Sequence, residues 1–172
     1  MEVFSSLRLI FFVSANVINL ALGFLVFKSN YKSATNKIFF SLSLTTSVWL
    51  STNYISAFLF PSNLFWARLS IFFAAPLSLF FFLLAHTLPH TTLQMRRAVV
   101  ISLSFLTVLT MVLNVSPYAF TDITLINKVA SPIPGPGLLP FAVLSTLFSV
   151  LAVYTLFKKL RYATRVERRQ VL

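Results

Sequence analysis

Five long segments of this 172-residue chain contain no lysine, arginine, aspartate or glutamate. Each is at least 19 residues long, and they cover residues 9–27, 38–67, 69–95, 98–121 and 129–157. A helix of about 20 apolar residues crosses the ~30 Å hydrocarbon core of a bilayer. The segments therefore predict an all-α membrane protein, a bundle of five transmembrane helices at about residues 7–27, 38–60, 65–88, 98–114 and 138–157.

Composition favours the same class. Apolar residues make up 58% of the chain and charged residues 10%, whereas a soluble domain has about 25% charged residues. The net charge of +11 would suit a nucleic-acid partner, but the basic residues stand at the ends of apolar segments rather than along one soluble face. We therefore expect the lipid bilayer as a partner and no nucleic acid. The absence of cysteine excludes disulfides and thiolate sites.

Lysine and arginine are distributed unevenly between the two sides that five crossings define. The loops 28–37 and 86–97 and the basic tail 158–172 hold three, two and six of them. The opposite side holds Arg8, Arg68 and Lys128. Because cytoplasmic loops are enriched in these residues, we expect an outer N-terminus, a cytoplasmic C-terminus and a multi-pass location in the cell inner (cytoplasmic) membrane.

The alternative interpretation of helix 1 is a cleaved signal peptide. Val13 and Ala15 form a weak cleavage pattern behind Arg8. The apolar run continues well past that position and is longer than the apolar region of a signal peptide. We therefore expect helix 1 to remain, and residues 1–172 to form a single membrane-embedded domain of a sensor-like kind.

Helix 3 carries small and bulky residues on different faces. The small residues are Ala67, Ala74, Ser78 and Ala85. The bulky residues are Phe65, Leu69, Phe72, Phe73, Phe80 and Leu83. Since lipid gives helices no hydrophobic reason to associate, small residues mark packing faces. We expect the small face against neighbouring helices, the bulky face in lipid, and a kink at Pro76, which lacks a backbone donor.

Polar or small residues also mark inward faces of the other helices. These residues are Asn16, Asn19 and Gly23 in helix 1, Ser41, Thr45, Thr52 and Ser56 in helix 2, Thr107, Met111 and Asn114 in helix 4, and Ser145, Ser149 and Ala152 in helix 5. Helices 2 and 3 are separated by a few residues after Pro61, so we expect an antiparallel helical pair packed stripe to stripe. The connection 115–137 predicts a short strand or hairpin at 122–129.

Catalytic and metal-binding patterns are weak. His86 and His90 have a spacing that could bind a metal, but Pro89 lies between them and no carboxylate or cysteine is near. The acids are Glu2, Asp122 and Glu167, all expected outside the membrane core. We therefore expect no catalytic residue, no metal and no cofactor, and no enzyme activity from this chain alone.

Arg68 lies about one turn inside the predicted outer end of helix 3. An arginine within a spanning segment is functional by default, in which case it would face an outward cavity and pair with an anionic ligand or with Asp122. The alternative is that its guanidinium reaches the lipid headgroups without any further role. The sequence leaves both interpretations open.

Several short motifs, in order, resemble the N-terminal seven-transmembrane sensor region of bacterial histidine kinases. They are Asn36-Lys37-Ile38-Phe39, Trp49, Trp66-Ala67-Arg68-Leu69, Pro76, the turn Pro134–Gly137 and the basic segment Arg161–Gln170. The resemblance covers the first five helices and implies signal reception at the membrane in a two-component system. In the family, two more helices and a kinase or other output follow. We therefore expect this chain to be a fragment, a truncated product or a partner of another chain.

We accordingly expect the sensory, signal-input region of a bacterial signal-transduction protein, without its output module. The expected ligand-binding residues are Trp49, Asn53, Trp66 and Arg68. The expected partners are an outer or membrane-borne ligand and either a kinase-bearing chain or a second copy. One alternative is a small transporter or transporter subunit, which solute uptake would reveal. Another is a non-catalytic membrane assembly partner, which co-purification with a kinase-bearing chain would reveal.

Overall fold

The computed structural model describes residues 2–60, 63–89, 91–93, 95–126 and 129–162. Its helices are α1 (Glu2–Ser29), α2 (Ala34–Tyr54), α3 (Leu64–Thr87), α4 (Arg97–Val115) and α5 (Leu138–Tyr162). A π-helical turn, Ile55–Leu59, continues α2, and the strands β1 (Phe120–Ile126) and β2 (Val129–Pro134) lie between α4 and α5. The described part of the chain is therefore mostly helical, with one small sheet.

Four of the described helices are long and apolar enough to cross a membrane. These segments are Ser6–Ser29, Leu64–Thr87, Arg97–Val115 and Leu138–Arg161. The remaining long helix, α2, has 21 residues, but it is rich in serine and threonine, which lower its mean hydropathy. Length alone therefore does not distinguish α2 from the other four helices; its side-chain polarity does.

The central element is α3, which packs against α2, α4, α5 and β1. The expected division into a packing face and a lipid face is wrong in part. Ala67 and Ala85 are buried, but Leu83 from the expected lipid face is only 6% exposed. Phe65 from the same face is 54% exposed. Neighbours on several sides cover most of α3, so bulky residues as well as small ones are buried along it.

Large apolar residues join α3 to α5. The rings of Phe82 and Phe148 are stacked, with centroids 5.5 Å apart and 17° between their planes. Ala152 is buried on the same face of α5, as expected, but Ser149 is exposed. The expectation that small polar residues define the inward face of α5 is wrong at Ser149, because the paired phenylalanine rings fill this interface.

Close backbone approach and amide hydrogen bonds join α1 to α2. Asn19 Nδ2 donates to the carbonyl oxygen of Ser43 at 2.6 Å and to Ser47 Oγ at 2.8 Å. A Cβ at Gly23 would lie 2.6 Å from the Ser43 Cβ, so only glycine fits there. The inward orientation expected for Asn19 and Gly23 is confirmed. The sequence pattern missed Ser43 and Ser47, both buried, on the facing side of α2.

The connection between α4 and α5 forms an antiparallel hairpin. Phe120 pairs with Pro134 and Ile126 with Val129, with an irregular register near Asp122. The hairpin is longer than the expected 122–129 segment; Lys128 lies outside the described residues. At its base, Gly135 N donates to Ala119 O at 2.8 Å. We call the side of the bundle next to β1 and β2 the hairpin end, and the other side the opposite end.

Candidate functional site

Arg68 connects α3 to the hairpin. Its Nη2 donates to the carbonyl oxygen of Phe120, the first residue of β1, at 2.7 Å. Phe120 is 6% exposed. Arg68 therefore contacts this carbonyl and not Asp122, the ion-pair partner considered for it from the sequence. Asp122 is exposed, and its Oδ1 accepts a hydrogen bond from the backbone N–H of Ile123 at 2.7 Å. A charged donor at a carbonyl oxygen makes one of the stronger kinds of hydrogen bond.

A second polar side chain lies on the same side of α3. Asn114, near the end of α4, is fully buried, and its Nδ2 donates to the carbonyl oxygen of Ile71 at 3.3 Å. Arg68 and Ile71 are three residues apart on α3, which places them on one face. The hydrogen bonds of Arg68 and Asn114 therefore lie about one turn apart, where α3 meets α4 and β1.

Each of these two side chains has a buried atom without a hydrogen-bond partner among the described residues. The atoms are Nε of Arg68, a donor, and Oδ1 of Asn114, an acceptor. A buried polar atom without a partner costs about 1–3 kcal/mol, so each such atom calls for a specific explanation. A hydroxyl or amide group both accepts and donates and would match both atoms. Because both atoms are shielded, such a group reaches them only if α3, α4 and β1 move apart.

Asn53 and Trp49 lie on α2 beside α3. Asn53 Oδ1 accepts a hydrogen bond from Ser70 Oγ at 3.4 Å, which joins the end of α2 to the second turn of α3. Asn53 is otherwise exposed, whereas Trp49, one turn earlier on α2, is half-buried. The carbonyl oxygen of Trp49 accepts a hydrogen bond from Thr52 Oγ1 at 3.0 Å. Both residues are thus on the α2 helix, with Asn53 in direct contact with α3.

Trp66 packs among aromatic rings at the start of α3. Its ring is stacked on that of Phe60 at 6.2 Å and meets that of Phe65 edge-on at 5.6 Å. Trp66 and Ser70 are four residues apart and share a face, whereas Arg68 is two residues from each and points about 200° away. The structure therefore brings Trp66 and Asn53 to the α2 side of α3, and Arg68 to the α4 side.

The π-helical turn that follows α2 is surrounded by aromatic residues and one cation. The Arg8 guanidinium lies 5.2 Å from the centre of the Phe58 ring, and Tyr54 is stacked on Phe12 at 4.4 Å. π-helical turns inside helices are frequent at functional sites. This turn was not expected from the sequence, and it links α1, α2 and the start of α3 at the hairpin end.

Lys159 connects α5 to the opposite end of α3. Its Nζ donates to the carbonyl oxygens of Ala85 at 3.0 Å, of His86 at 3.1 Å and of Leu88. The last carbonyls of a helix have no partners within the helix, and a cation is favourable beside them. His86 makes its own bond from Nδ1 to Phe82 O at 3.0 Å. His90, considered with it as a metal ligand, lies outside the described residues.

Sequence reasoning missed four residues of these contacts as site residues. Ser70 and Phe120 act through a hydroxyl and a backbone carbonyl, which leave no recognisable pattern. Lys159 was counted only as part of the basic tail, and Asn114 only as a polar position on helix 4. The signal available for these last two was a polar side chain inside or at the end of an apolar helix, which requires a partner.

Comparison with known families identifies the family to which this chain is similar. A family model described as the N-terminal 7TM region of histidine kinase matches residues 11–172. No curated protein and no solved structure matches the chain significantly. The family and the apolar helices together make this a multi-pass, all-α membrane protein. Since the match covers nearly the whole sequence, the chain belongs to the family of N-terminal seven-transmembrane regions of histidine kinases, which are membrane sensory regions.

Proposed function

We propose that this chain crosses the bacterial inner membrane five times and receives a stimulus at its hairpin end. The distribution of basic residues supports this orientation. Among described residues, Arg8 and Arg68 lie at the hairpin end. Those at the opposite end are Lys28, Lys32, Lys37, Arg96, Arg97, Lys158, Lys159 and Arg161. The positive-inside tendency then places the opposite end in the cytoplasm and the N-terminus outside.

Internal hydrogen bonding supports α2 as the fifth crossing. Thr46 Oγ1 donates to Leu42 O at 2.8 Å, and Ser51 Oγ donates to Ser47 O at 2.8 Å. Thr52 Oγ1 donates to Val48 O at 3.1 Å. A hydroxyl that donates to its own helix is not left unsatisfied in lipid. The polarity of α2 is therefore compatible with a position inside the bilayer between α1 and α3.

The observation that best supports the proposed function is that α3 is hydrogen-bonded to other elements at both of its ends. Arg68 holds β1 at the hairpin end, and Lys159 of α5 holds the last carbonyls at the opposite end. A stimulus that binds at the hairpin end, beside Arg68 on the α4 side of α3 or beside Asn53, Trp66 and Trp49 on its α2 side, changes the position of α3 relative to its neighbours. It does so only through its different affinity for two arrangements of the bundle. Lys159 then passes the change to α5 and residues 158–172.

The proposed ligand is an outer or membrane-borne molecule with a polar group that reaches Arg68 and Asn114. The proposed protein partner is a kinase-bearing chain, or a second copy that forms a dimer with this one. Catalysis would belong to the output module and not to residues 1–172. The proposed sensory role can therefore be tested by joining a kinase output module to the chain.

The functional test joins the full chain, after Leu172, to a soluble histidine-kinase module and measures autophosphorylation in membrane vesicles. We expect Arg68→Ala to change the autophosphorylation rate several-fold at equal insertion. Arg8→Ala is the matched control, since it removes the same charge from the same end without detaching β1. Equal rates for wild type and Arg68→Ala would remove Arg68 from signalling. Solute uptake by vesicles without any kinase response would favour the transporter alternative.

The orientation test uses single cysteines, since the chain has none of its own. Tyr118 is 69% exposed at the hairpin end, and Lys32 is exposed at the opposite end. We expect a membrane-impermeant maleimide to label Tyr118→Cys on intact cells and Lys32→Cys only after permeabilisation. The reverse pattern would contradict the proposed orientation without affecting the family assignment.

A further inference from the structure

Two adjoining grooves lie along the last turns of α5. One, of about 360 Å³, is lined by Tyr154, Phe157, Lys158 and Arg161. The other, of about 400 Å³, shares Tyr154 and Lys158 with it and extends to His86 on α3. Tyr154 is 63% exposed and Phe157 68% exposed. Spacings of three, four and seven residues place the four lining residues of the first groove on one face of the helix.

The charge in these grooves is of one sign. Lys158 and Arg161 are exposed, and none of the described residues that line either groove is acidic. Lys159, between them in sequence, lines the second groove, and its ammonium group donates to α3 carbonyls. A guanidinium binds phosphate through two parallel hydrogen bonds, and a nearby ammonium adds a point charge. The pair Lys158 and Arg161 is thus complementary to a phosphate group.

The aromatic residues define which phosphate compound fits. Tyr154 and Phe157 each precede one of the two cations by one turn, on the side toward the bilayer interior. Aromatic rings are preferred at the membrane interface, next to the headgroup level. A molecule with a phosphate over Lys158 and Arg161 would have its apolar part against the two rings. That molecule is a phospholipid, and basic pockets of this kind bind anionic headgroups.

We propose that the face formed by Tyr154, Phe157, Lys158 and Arg161 binds an anionic phospholipid by its headgroup. The proposal requires only that α5 crosses the bilayer, whichever side Lys158 faces, so it does not depend on the proposed sensory role. A lipid bound here lies next to the Lys159 contact and directly before residues 163–172. The lipid composition of this leaflet would therefore influence the position of the end of α5.

The experiment adds phosphatidylglycerol or phosphatidylcholine to the full chain in uncharged detergent and counts bound lipid by native mass spectrometry. We expect clear retention of phosphatidylglycerol over phosphatidylcholine. The variant Lys158→Gln/Arg161→Gln should weaken phosphatidylglycerol binding about 30-fold, as expected for two basic residues near an anionic surface. The control Lys28→Gln/Lys32→Gln removes two exposed charges from the same end of the bundle and should bind as wild type does.

Three results would overturn the proposal. Equal weakening by both double variants would mean general charge attraction and no site. Unchanged binding by Lys158→Gln/Arg161→Gln would mean that the lipid sits elsewhere. Displacement of the lipid by millimolar inorganic phosphate, with Tyr154→Ala/Phe157→Ala binding as wild type does, would mean a free-phosphate site. Arg161→Lys should retain partial binding and shows that a change at this position leaves the fold intact.

Discussion

The ammonium nitrogen of Lys159 lies 3.0 Å from the carbonyl oxygen of Ala85, so the last turns of α5 are hydrogen-bonded to the end of α3. On the side of this contact that faces the hairpin end, the rings of Phe82 and Phe148 are stacked between the same two helices. The apolar interface sets the distance between α3 and α5. The lysine fixes the position of one helix relative to the other along their axes. Neither helix can slide along the other without breaking the Lys159 hydrogen bonds.

Replacement of Lys159 tests this contact. Lys159→Met keeps the length of the side chain but cannot donate, and we expect a loss of about 1.5–3 kcal/mol of stability, the usual range for a hydrogen bond to a charged group. Thermal unfolding in uncharged detergent measures it. Lys158→Met is the control, because Lys158 is exposed and lies on another face of α5. Equal melting of the two variants would show that the Lys159 contact contributes nothing.

Replacement of Arg68 tests the attachment of the hairpin. In Arg68→Ala the carbonyl of Phe120 loses its donor, and we expect backbone amides of residues 118–126 to exchange with deuterium at least about tenfold faster, the equivalent of ~1.4 kcal/mol. Hydrogen exchange with mass spectrometry of the hairpin peptides measures the change. Arg8→Ala should leave these peptides unaffected, since Arg8 contacts Phe58. Unaltered exchange in Arg68→Ala would show that other contacts hold β1.

The sequence alone was sufficient for the helical architecture and insufficient for the packing. Uncharged length and polar spacing located the helices and the inward side of α1, because these follow from one helix at a time. The burial of Leu83 and the exposure of Ser149 depend on which neighbours surround α3 and α5, and no single-helix pattern contains that information. The same limit applies to the site: Arg68 was recognisable as a charge, whereas its acceptor, the carbonyl of Phe120, exists only once β1 has folded against α3.

Asn114 is a position where we expect function and stability to separate. Asn114→Leu keeps the branching and the number of heavy atoms but is bulkier, loses the hydrogen bond to Ile71 and also removes the unpartnered Oδ1. A hydrogen bond between membrane helices averages about 0.6 kcal/mol and overpacking costs about 1–3 kcal/mol, whereas removal of an unpartnered buried atom recovers about 1–3 kcal/mol, so these changes oppose each other. We expect thermal stability within about 1 kcal/mol of wild type and an altered autophosphorylation rate in the kinase fusion.

The comparison variant at this position is Asn114→Ala, which leaves a cavity in a fully buried place and should be less stable than Asn114→Leu. If Asn114→Leu instead unfolded as early as Asn114→Ala, the amide would be a structural requirement. If Asn114→Leu signalled as wild type does, the polar pair with Arg68 would have no role in reception.

The α1–α2 interface can be tested with one substitution that disrupts it and a second one that should restore it. A methyl group at position 23 would lie 2.6 Å from the Ser43 Cβ, so Gly23→Ala should separate the two helices and lower the yield of folded protein. The double variant Gly23→Ala/Ser43→Gly moves the small residue to the other helix and should recover most of the yield. Size-exclusion chromatography in detergent measures both. Ser43→Gly alone is the control for the cost of a glycine inside α2. A double variant as poor as Gly23→Ala, with Ser43→Gly folding as wild type does, would show that the contact with Ser43 is not what limits this position.

The short base of the hairpin has a mechanical consequence. Gly137 N donates to Tyr118 O at 2.9 Å, and a Cβ at Gly135 would overlap that same oxygen, so α5 starts at a fixed distance from the end of α4. From there α5 runs 25 residues, about 37 Å at ~1.5 Å per residue. With its first turn as the fulcrum, a tilt of about 5° would move the far end by about 3 Å. Because Lys159 joins that end to α3, such a tilt would have to displace the end of α3 as well.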